Sequence, residues 1–327
     1  VCPEFVENWR KAVSAVVAEA LANEEEIRAF AGKATIRKSL GENRADPQHG
    51  HTDGAIRWIK FIRPDGSVKI LLHNHAMHGV VFGRQRLVSA DWMGDANRKI
   101  KARGLAEMPF FLYGCSGDIN VIWTHPKPEE RDKNLEWISE SYVDDLQNGL
   151  AGGVEINLSP LSGVLETVEL PSEPVISVEL RETAAKLLAK LPSEYGGLLQ
   201  YTHDRMIEMA VMAEEGHDFR VFQDLQVLRM GDLAVYAIPG EPFLALGESV
   251  MQEAPFQFPL AVSVANGDAG YFPTPEMFRQ YPDPFCCDDF GAFGFYEVWF
   301  GPGLLRAKFK PDIVDFITRK LLSLKLQ

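Results

Sequence analysis

The sequence predicts an α/β protein, with α+β as the alternative, in which helices flank a mixed sheet. Strand and helix patterns alternate along the chain, and two strand pairs are joined by turns short enough for hairpins, which favours a mixed sheet over a doubly wound parallel one. The composition, 46% hydrophobic and 24% charged over 327 residues, is ordinary for a globular protein. Because we find no internal repeat or linker, we expect one domain over 1–327.

Periodicity and turn residues define the elements. In the first predicted helix, Phe5, Trp9, Val13 and Val17 recur at helical spacing. The predicted helices cover 3–25, 95–103, 128–150, 184–191, 204–215, 241–251 and 310–324. The predicted strands cover 34–36, 55–62, 68–72, 110–113, 219–228, 233–238 and 260–265. The turns at 64–66 and 230–232 predict two hairpins, and the Pro- and Gly-containing segment 154–180 predicts loops and short strands.

Charge and cysteine content exclude several classes of function. The formal net charge of −13 repels phosphate backbones, which argues against nucleic acid as a partner and disfavours anionic membrane surfaces. No apolar run is long enough for a transmembrane helix. The four cysteines contain no CxxC, which excludes a zinc ribbon or a thioredoxin motif and predicts reduced, packed thiols. The cellular compartment is left open by these features.

Histidines concentrate in one part of the sequence. Five of the eight lie between positions 49 and 78: His49, His51, His73, His75 and His78. Neutral imidazole is the commonest metal ligand in proteins, and the end of a strand is a rigid place to hold one. The spacing matches no specific metal motif, so the alternative is that these are ordinary surface or hydrogen-bonded histidines.

Polar residues follow four of the predicted strands. They are His78, Asp118, Glu241 and Tyr271, and small residues surround three of them. Because active sites gather at strand ends, we expect these side chains to share one edge of the sheet. Each also has an ordinary interpretation: Asp118 in a strand-to-loop turn, for example, and Glu241 as a carboxylate that stabilises a helix N-terminus.

Taken in order along the chain, six segments resemble the motifs of the neutral/alkaline non-lysosomal ceramidase family. They are Asn43-Arg44, Ala76-Met77-His78-Gly79, Ser89-Ala90-Asp91, Gly117-Asp118-Ile119-Asn120, Pro239-Gly240-Glu241 and Gly270-Tyr271-Phe272-Pro273-Thr274. The resemblance runs through most of the chain and implies the fold of the family's catalytic domain. It ends near Leu324, without the immunoglobulin-like domain that follows in the family. The chain is thus similar to a short, single-domain relative.

The resemblance implies a zinc-dependent amidohydrolase acting on an N-acyl amide, ceramide-like or other, in a small molecule or lipid. It places His78, Glu241 and Tyr271 on the zinc, Arg44 beside the scissile amide, and Asp118 and Asn120 in a catalytic loop. Zinc lowers the pKa of bound water to about 7, so that a zinc-bound hydroxide is available to attack the amide carbonyl.

Three departures from the family pattern keep other functions open. The family's second zinc histidine lies in a His-Thr-His-Ser-Gly-like stretch upstream of the first helix, which these residues do not contain. Asn120 and Val121 stand where the family has serine and, often, proline. A non-catalytic binding or structural protein is therefore the first alternative. A metal-independent enzyme using Asp118 and His75 as acid and base is the second.

Overall fold

Two mixed β-sheets pack face to face between layers of helices. The computed structural model describes residues 2–83, 88–124, 127–189, 196–282, 295–299 and 301–326. The strands are β1 Arg28–Thr35, β2 Gly41–Asn43, β3 Ala55–Ile62, β4 Val68–His75, β5 Met108–Tyr113, β6 Ile119–Val121, β7 Val154–Ile156, β8 Leu161–Leu170, β9 Val221–Met230, β10 Leu233–Ala237, β11 Glu241–Pro242, β12 Phe258–Val262 and β13 Tyr271–Phe272. The helices are α1 Pro3–Ala22, α2 Asp91–Ala102, α3 Arg131–Gly149, α4 Ser177–Ala189, α5 Gly196–Glu214, α6 Leu244–Glu253, α7 Pro275–Gln280, α8 Phe295–Trp299 and α9 Ile313–Ser323.

Both large sheets combine parallel and antiparallel pairs. The first has the order β5-β4-β3-β1-β7, in which only β4 and β5 run parallel. The second has the order β12-β10-β9-β8, in which only β10 and β12 run parallel. The predicted mixed sheet with flanking helices is confirmed, and so are the hairpins β3–β4 and β9–β10. Gly231 has a φ of +57° in the second turn, where a side chain would be strained.

Three apolar clusters hold the layers together. The first lies between the sheets and joins Ala31 and Ile59 of the first sheet to Leu233 and Leu260 of the second. A second cluster covers the other face of the first sheet with α2 and α3, and the third covers the other face of the second sheet with α4, α6 and α9. Alternate side chains of each strand thus enter different clusters, which is the pattern expected for a sheet buried on both faces.

Several predicted elements differ from the structure. The segment predicted as loops and short strands contains the ten-residue strand β8, which pairs with β9 at the edge of the second sheet. Its exposed face explains the difference, because the residues that face solvent weaken the apolar signal of a strand. The first predicted strand is longer than expected and begins at Arg28. Cys115 is a buried free thiol as predicted, whereas Cys2 is free but exposed, so the packing predicted for it is wrong. Cys286 and Cys287 lie outside the described residues.

The first helix has the predicted position, and none of its residues is buried. Phe5, Trp9 and Val16 on its apolar side are about three-fifths exposed, at 65%, 59% and 63%. Among the described residues, no helix combines the length and apolarity needed to cross a membrane.

Two short ladders connect the sheets at one end. Strands β2 and β6 pair antiparallel, and β11 and β13 pair parallel. The two ladders meet where the amide of Gly117 donates to the carbonyl of Pro242 over 2.9 Å. A side chain at Gly117 would collide with the Glu241 carbonyl oxygen, only 2.5 Å from the position of a Cβ, so glycine permits this approach. Three of the six predicted site residues, Asn120, Glu241 and Tyr271, lie on these ladders, and Arg44 and Asp118 directly flank the first of them.

Candidate active site

The backbone of His78 is fixed on both sides. Its N–H donates to the carbonyl of Ile119 in β6 over 2.9 Å, and its own carbonyl accepts from the indole of Trp92 in α2 at 3.0 Å. The carboxylate of Asp91 in turn accepts from the amides of Val81 and Phe82, which shapes the loop after His78. These contacts hold the imidazole at the end of β4, with only 7% of the residue exposed.

One nitrogen of this imidazole is bonded and the other is not. Nδ1 lies 2.9 Å from the hydroxyl of Tyr113, at the end of the neighbouring strand β5. Nε2 is buried, has no hydrogen-bond partner among the described residues, and lies 3.8 Å from Oε2 of Glu241. Burial, reinforced by the nearby charge of Arg44, lowers the pKa of His78 to about 3. The ring is therefore neutral, and a proton on Nδ1 leaves the Nε2 lone pair facing Glu241.

Glu241 and Tyr271 are paired across the β11–β13 ladder. They are directly opposite in register, and the Glu241 amide donates to the carbonyl of Gly270 over 2.9 Å. Burial and the negative charge of Asp268 raise the pKa of Glu241, and burial together with Glu241 raises that of Tyr271 well above its ordinary range. The predicted helix start at Glu241 is wrong: α6 begins at Leu244, because the ladder uses the backbone of Glu241.

Arg44 provides the positive charge of the site. Its Nη2 lies 2.9 Å from Oε1 of Glu297, a buried carboxylate of α8, and its Nε and Nη2 donate to the carbonyl of Gly117 over 3.1 and 2.6 Å. The guanidinium carbon lies 5.3 Å from the centre of the Tyr271 ring. Burial alone would lower the pKa of Arg44, but the carboxylate of Glu297 raises it overall, so the cation persists.

Asp118 supports the site through hydrogen bonds. Its Oδ1 accepts from the amide of Leu244 over 2.7 Å, which satisfies the first turn of α6, and its Oδ2 accepts from the side chain of Asn43 over 2.9 Å. Its carbonyl accepts from the amide of Arg44 over 2.8 Å. Both carboxylate oxygens are thus used in joining β2, β6 and α6, which gives Asp118 a positioning role.

Asn120 lies two residues after Asp118, in β6 opposite Glu42. Its side-chain carbonyl oxygen is buried and has no hydrogen-bond partner among the described residues. A buried amide oxygen without a partner costs free energy, and a donor group of a ligand would remove that cost.

The other clustered histidines have ordinary environments. His73 is fully buried between the hydroxyl of Tyr142 and the side chain of Asn97, and His75 bonds the carbonyl of Ala55 over 3.1 Å and lies 3.4 Å from Asp53. The hydrogen-bonded interpretation therefore describes these two residues. Among the described residues, His75 contacts Ala55 and Asp53 whereas Asp118 contacts Asn43 and Leu244, so no hydrogen bond or ion pair links His75 to Asp118 as an acid and a base.

Three further residues belong to the site and were not predicted. Tyr113 bonds the His78 ring, Trp92 bonds its carbonyl, and Glu297 pairs with Arg44. Each comes from an element distant in sequence from its partner, so periodicity gives no signal for the pairing. The position of Tyr113 at a strand end is the one feature that would have marked it.

No protein-family model and no curated protein matches the sequence. Solved structures do match. Neutral ceramidase from Pseudomonas aeruginosa superposes with a TM-score of 0.65 at 15% sequence identity, over 94% of this chain and 53% of that chain. A structure described as "Ceramidase complexed with C2" superposes with a TM-score of 0.62 at 14% identity, over 91% of this chain and 53% of that one.

The chain has the fold of neutral ceramidase. It spans about half the length of the two ceramidase chains, 53% in each case. The ceramidase-like fold predicted from the six ordered segments is thereby confirmed.

The zinc that a ceramidase-like fold implies can be tested against the side chains present. No group of three His, Cys, Asp or Glu side chains suited to a metal occurs in the described ranges. The donors that do converge are one imidazole and two oxygens, on His78, Glu241 and Tyr271, and the imidazole nitrogen is buried without a hydrogen bond. Three protein donors and an open position are what a catalytic zinc site requires, so these residues fit the ion.

Proposed function

We propose that this chain is a zinc-dependent amidohydrolase that cleaves an N-acyl amide of the ceramide type. The observation that carries the proposal is the Nε2 atom of His78, buried, neutral, without a hydrogen bond in the described part of the molecule, and 3.8 Å from Glu241. Leaving such an atom unsatisfied costs about 1–3 kcal/mol unless a ligand occupies the space beside it. The similarity to neutral ceramidase supports the reaction class.

In this proposal His78, Glu241 and Tyr271 hold the zinc. The ion supplies a Lewis acid and, when water binds it, lowers the pKa of that water to about 7. A divalent cation bound there would offset the cost of holding the Glu241 carboxylate and an ionised Tyr271 hydroxyl in this partly buried site.

The remaining residues of the site act on the substrate or on the ligands. Arg44 lies beside Tyr271 with its charge retained, and a buried cation at that place stabilises the oxyanion that develops on an amide carbonyl. Glu297 holds Arg44 in position, and Tyr113 holds the ring of His78. Asn120 carries no nucleophile, so its buried carbonyl oxygen is assigned to a donor group of the substrate.

The proposal is tested by hydrolysis of a panel that contains ceramide and simpler N-acyl amides. We expect turnover that stops when zinc is chelated and returns when zinc is restored. Glu241→Gln should lower kcat/KM by more than about 100-fold. The matched control is Glu248→Gln, which changes an exposed carboxylate that pairs with His51, and its activity should equal that of the unchanged protein.

Two results would contradict the proposal. Hydrolysis that is unaffected by chelation would remove zinc from the mechanism. Binding of N-acyl lipids without any hydrolysis, in protein loaded with zinc, would instead support the non-catalytic alternative that Asn120 and the upstream stretch leave open.

A further inference from the structure

A second buried cation contacts the chain segment just before Tyr271 but is not one of the proposed zinc-site residues. Arg306 is 8% exposed and sits between two glycines, with its guanidinium carbon 3.8 Å from the centre of the Phe309 ring. Its Nε donates to the carbonyl of Ala269 over 2.7 Å and its Nη1 to the carbonyl of Ala307 over 2.8 Å. Its remaining nitrogen, Nη2, has no hydrogen-bond partner among the residues that the structure describes.

This arginine also lacks a counter-ion among the residues that the structure describes. Asp268 acts on it only through the longer-range field, and burial lowers its pKa. A buried guanidinium without a carboxylate carries an uncompensated desolvation cost, which is why buried arginines are normally paired. An anion placed at Nη2 would offset that cost, and a planar carboxylate suits the donor geometry of a guanidinium.

Arg306 lines a cavity of about 450 Å³ between α4, α5, Trp299 and residues 306–308. The other walls are mainly apolar side chains: Ile176, Leu180, Met206, Met209 and Trp299. Lys308 adds a second cation, with Nζ 4.2 Å from the centre of the Trp299 ring. The volume lies in the range of small-molecule sites, and methionines adapt to flexible apolar chains.

We propose that this cavity binds an aliphatic carboxylate, with the carboxylate on Arg306 and the chain against Met206, Met209 and Trp299. Three carboxylates at the cavity, half-buried Glu173 and exposed Glu179 and Glu182, disfavour a doubly charged head such as a phosphate, so a single negative charge fits best. Glu173 also offsets part of the charge of Lys308, which leaves Arg306 as the cation for that head. An N-acyl amidohydrolase releases an acid of this class, but the binding proposed here needs neither zinc nor turnover.

Calorimetric titration of the whole chain with decanoate and with decan-1-ol tests the proposal, because the two ligands share a chain and differ in the head group. We expect decanoate to bind at least about 10-fold more tightly than the alcohol. Arg306→Gln should reduce decanoate affinity to that of the alcohol and leave alcohol binding unchanged. The matched control is Arg279→Gln, which changes an exposed arginine paired with Glu276 and should have no effect.

The ligand comparison on the unchanged protein remains decisive if Arg306→Gln fails to fold. Equal affinity for decanoate and decan-1-ol would overturn the proposal, and so would the absence of decanoate binding. A titration of His78→Ala separates this cavity from the zinc-site residues. Retained decanoate binding supports the proposal, whereas binding lost in His78→Ala but kept in Arg306→Gln would place the carboxylate beside His78 and overturn it.

Discussion

His73 and His78 lie five residues apart, at the end of β4 and just after it, and both are buried. They differ in the hydrogen bonds that their ring nitrogens make. Both ring nitrogens of His73 have partners, Tyr142 at 3.0 Å and Asn97 at 2.7 Å. Among the described residues, only Nδ1 of His78 has a hydrogen-bond partner, and its Nε2 lies 3.8 Å from Glu241. Neighbouring histidines in a sequence can thus have different hydrogen-bonding states, and a ring nitrogen without a partner marks the one proposed here as a ligand.

The largest expected effect comes from removing the ring with the free nitrogen. His78→Ala should lower kcat/KM for amide hydrolysis by more than about 100-fold, because a zinc ligand is lost, while much of the folded structure persists. Steady-state kinetics on zinc-loaded protein measure this. His49→Ala is the control, since that ring is 80% exposed. Equal activity of the two variants would break the contrast with His73.

The opposite result is expected for His73. His73→Ala should destabilise the protein by about 2–4 kcal/mol, because it leaves a cavity and strands the hydroxyl of Tyr142 and the amide of Asn97. Urea unfolding measures the loss. Activity per folded molecule should stay close to that of the unchanged protein. A loss of activity with unchanged stability would assign His73 to the chemistry instead.

A pH dependence of stability follows from the same burial. Desolvation lowers the pKa of His73 from 6.5 to about 4 in the folded protein. Above 6.5 the ring is neutral in both states and its contribution is complete. As the pH falls toward 4, the unfolded chain takes up the proton and stability is lost, on the order of 3 kcal/mol.

His73→Leu isolates this contribution. The difference in free energy of unfolding between the unchanged protein and the variant should shrink as the pH falls from about 7 to about 4. Chemical denaturation at a series of pH values provides the measurement. Parallel curves for the two proteins would show that the buried ring is not the source of the pH dependence.

The smallest expected effect is on zinc affinity and comes from the residue that holds the ring of His78. Tyr113→Phe removes the hydroxyl bonded to Nδ1 and should weaken zinc binding by about 10-fold, because partners of this kind orient metal-bound imidazoles. Competition against a chelator at neutral pH measures the affinity, with Tyr201→Phe on α5 as the control. Unchanged affinity would mean that Trp92 and the backbone suffice to place the ring.

Local patterns in the sequence predict much of the fold. Both hairpins follow from alternation around Gly66 and Gly231, and α1 follows from its apolar spacing. The pattern does not predict strand β8, because half of its residues face solvent at a sheet edge. The division of the strands between two sheets is not predicted either. It depends on which faces pack together, and periodicity shows that a face is buried but not which element covers it.

For the candidate site, the sequence predicts which residues belong together but not the contacts that hold them. The order of motifs along the chain brought Arg44, His78, Glu241 and Tyr271 into one hypothesis, and the structure places these four together. Their supporting partners lie 35 residues away for His78 and Tyr113 and much farther for Arg44 and Glu297. Contacts at that separation arise from the fold as a whole, which a single sequence does not display.

We propose that His78, Glu241 and Tyr271 together hold one zinc ion. The most direct test is the metal content of zinc-loaded and dialysed protein, measured by plasma mass spectrometry in the unchanged chain and in His78→Ala. We expect about one zinc per chain in the former and almost none in the latter. No zinc in either protein, or equal zinc in both, would contradict it.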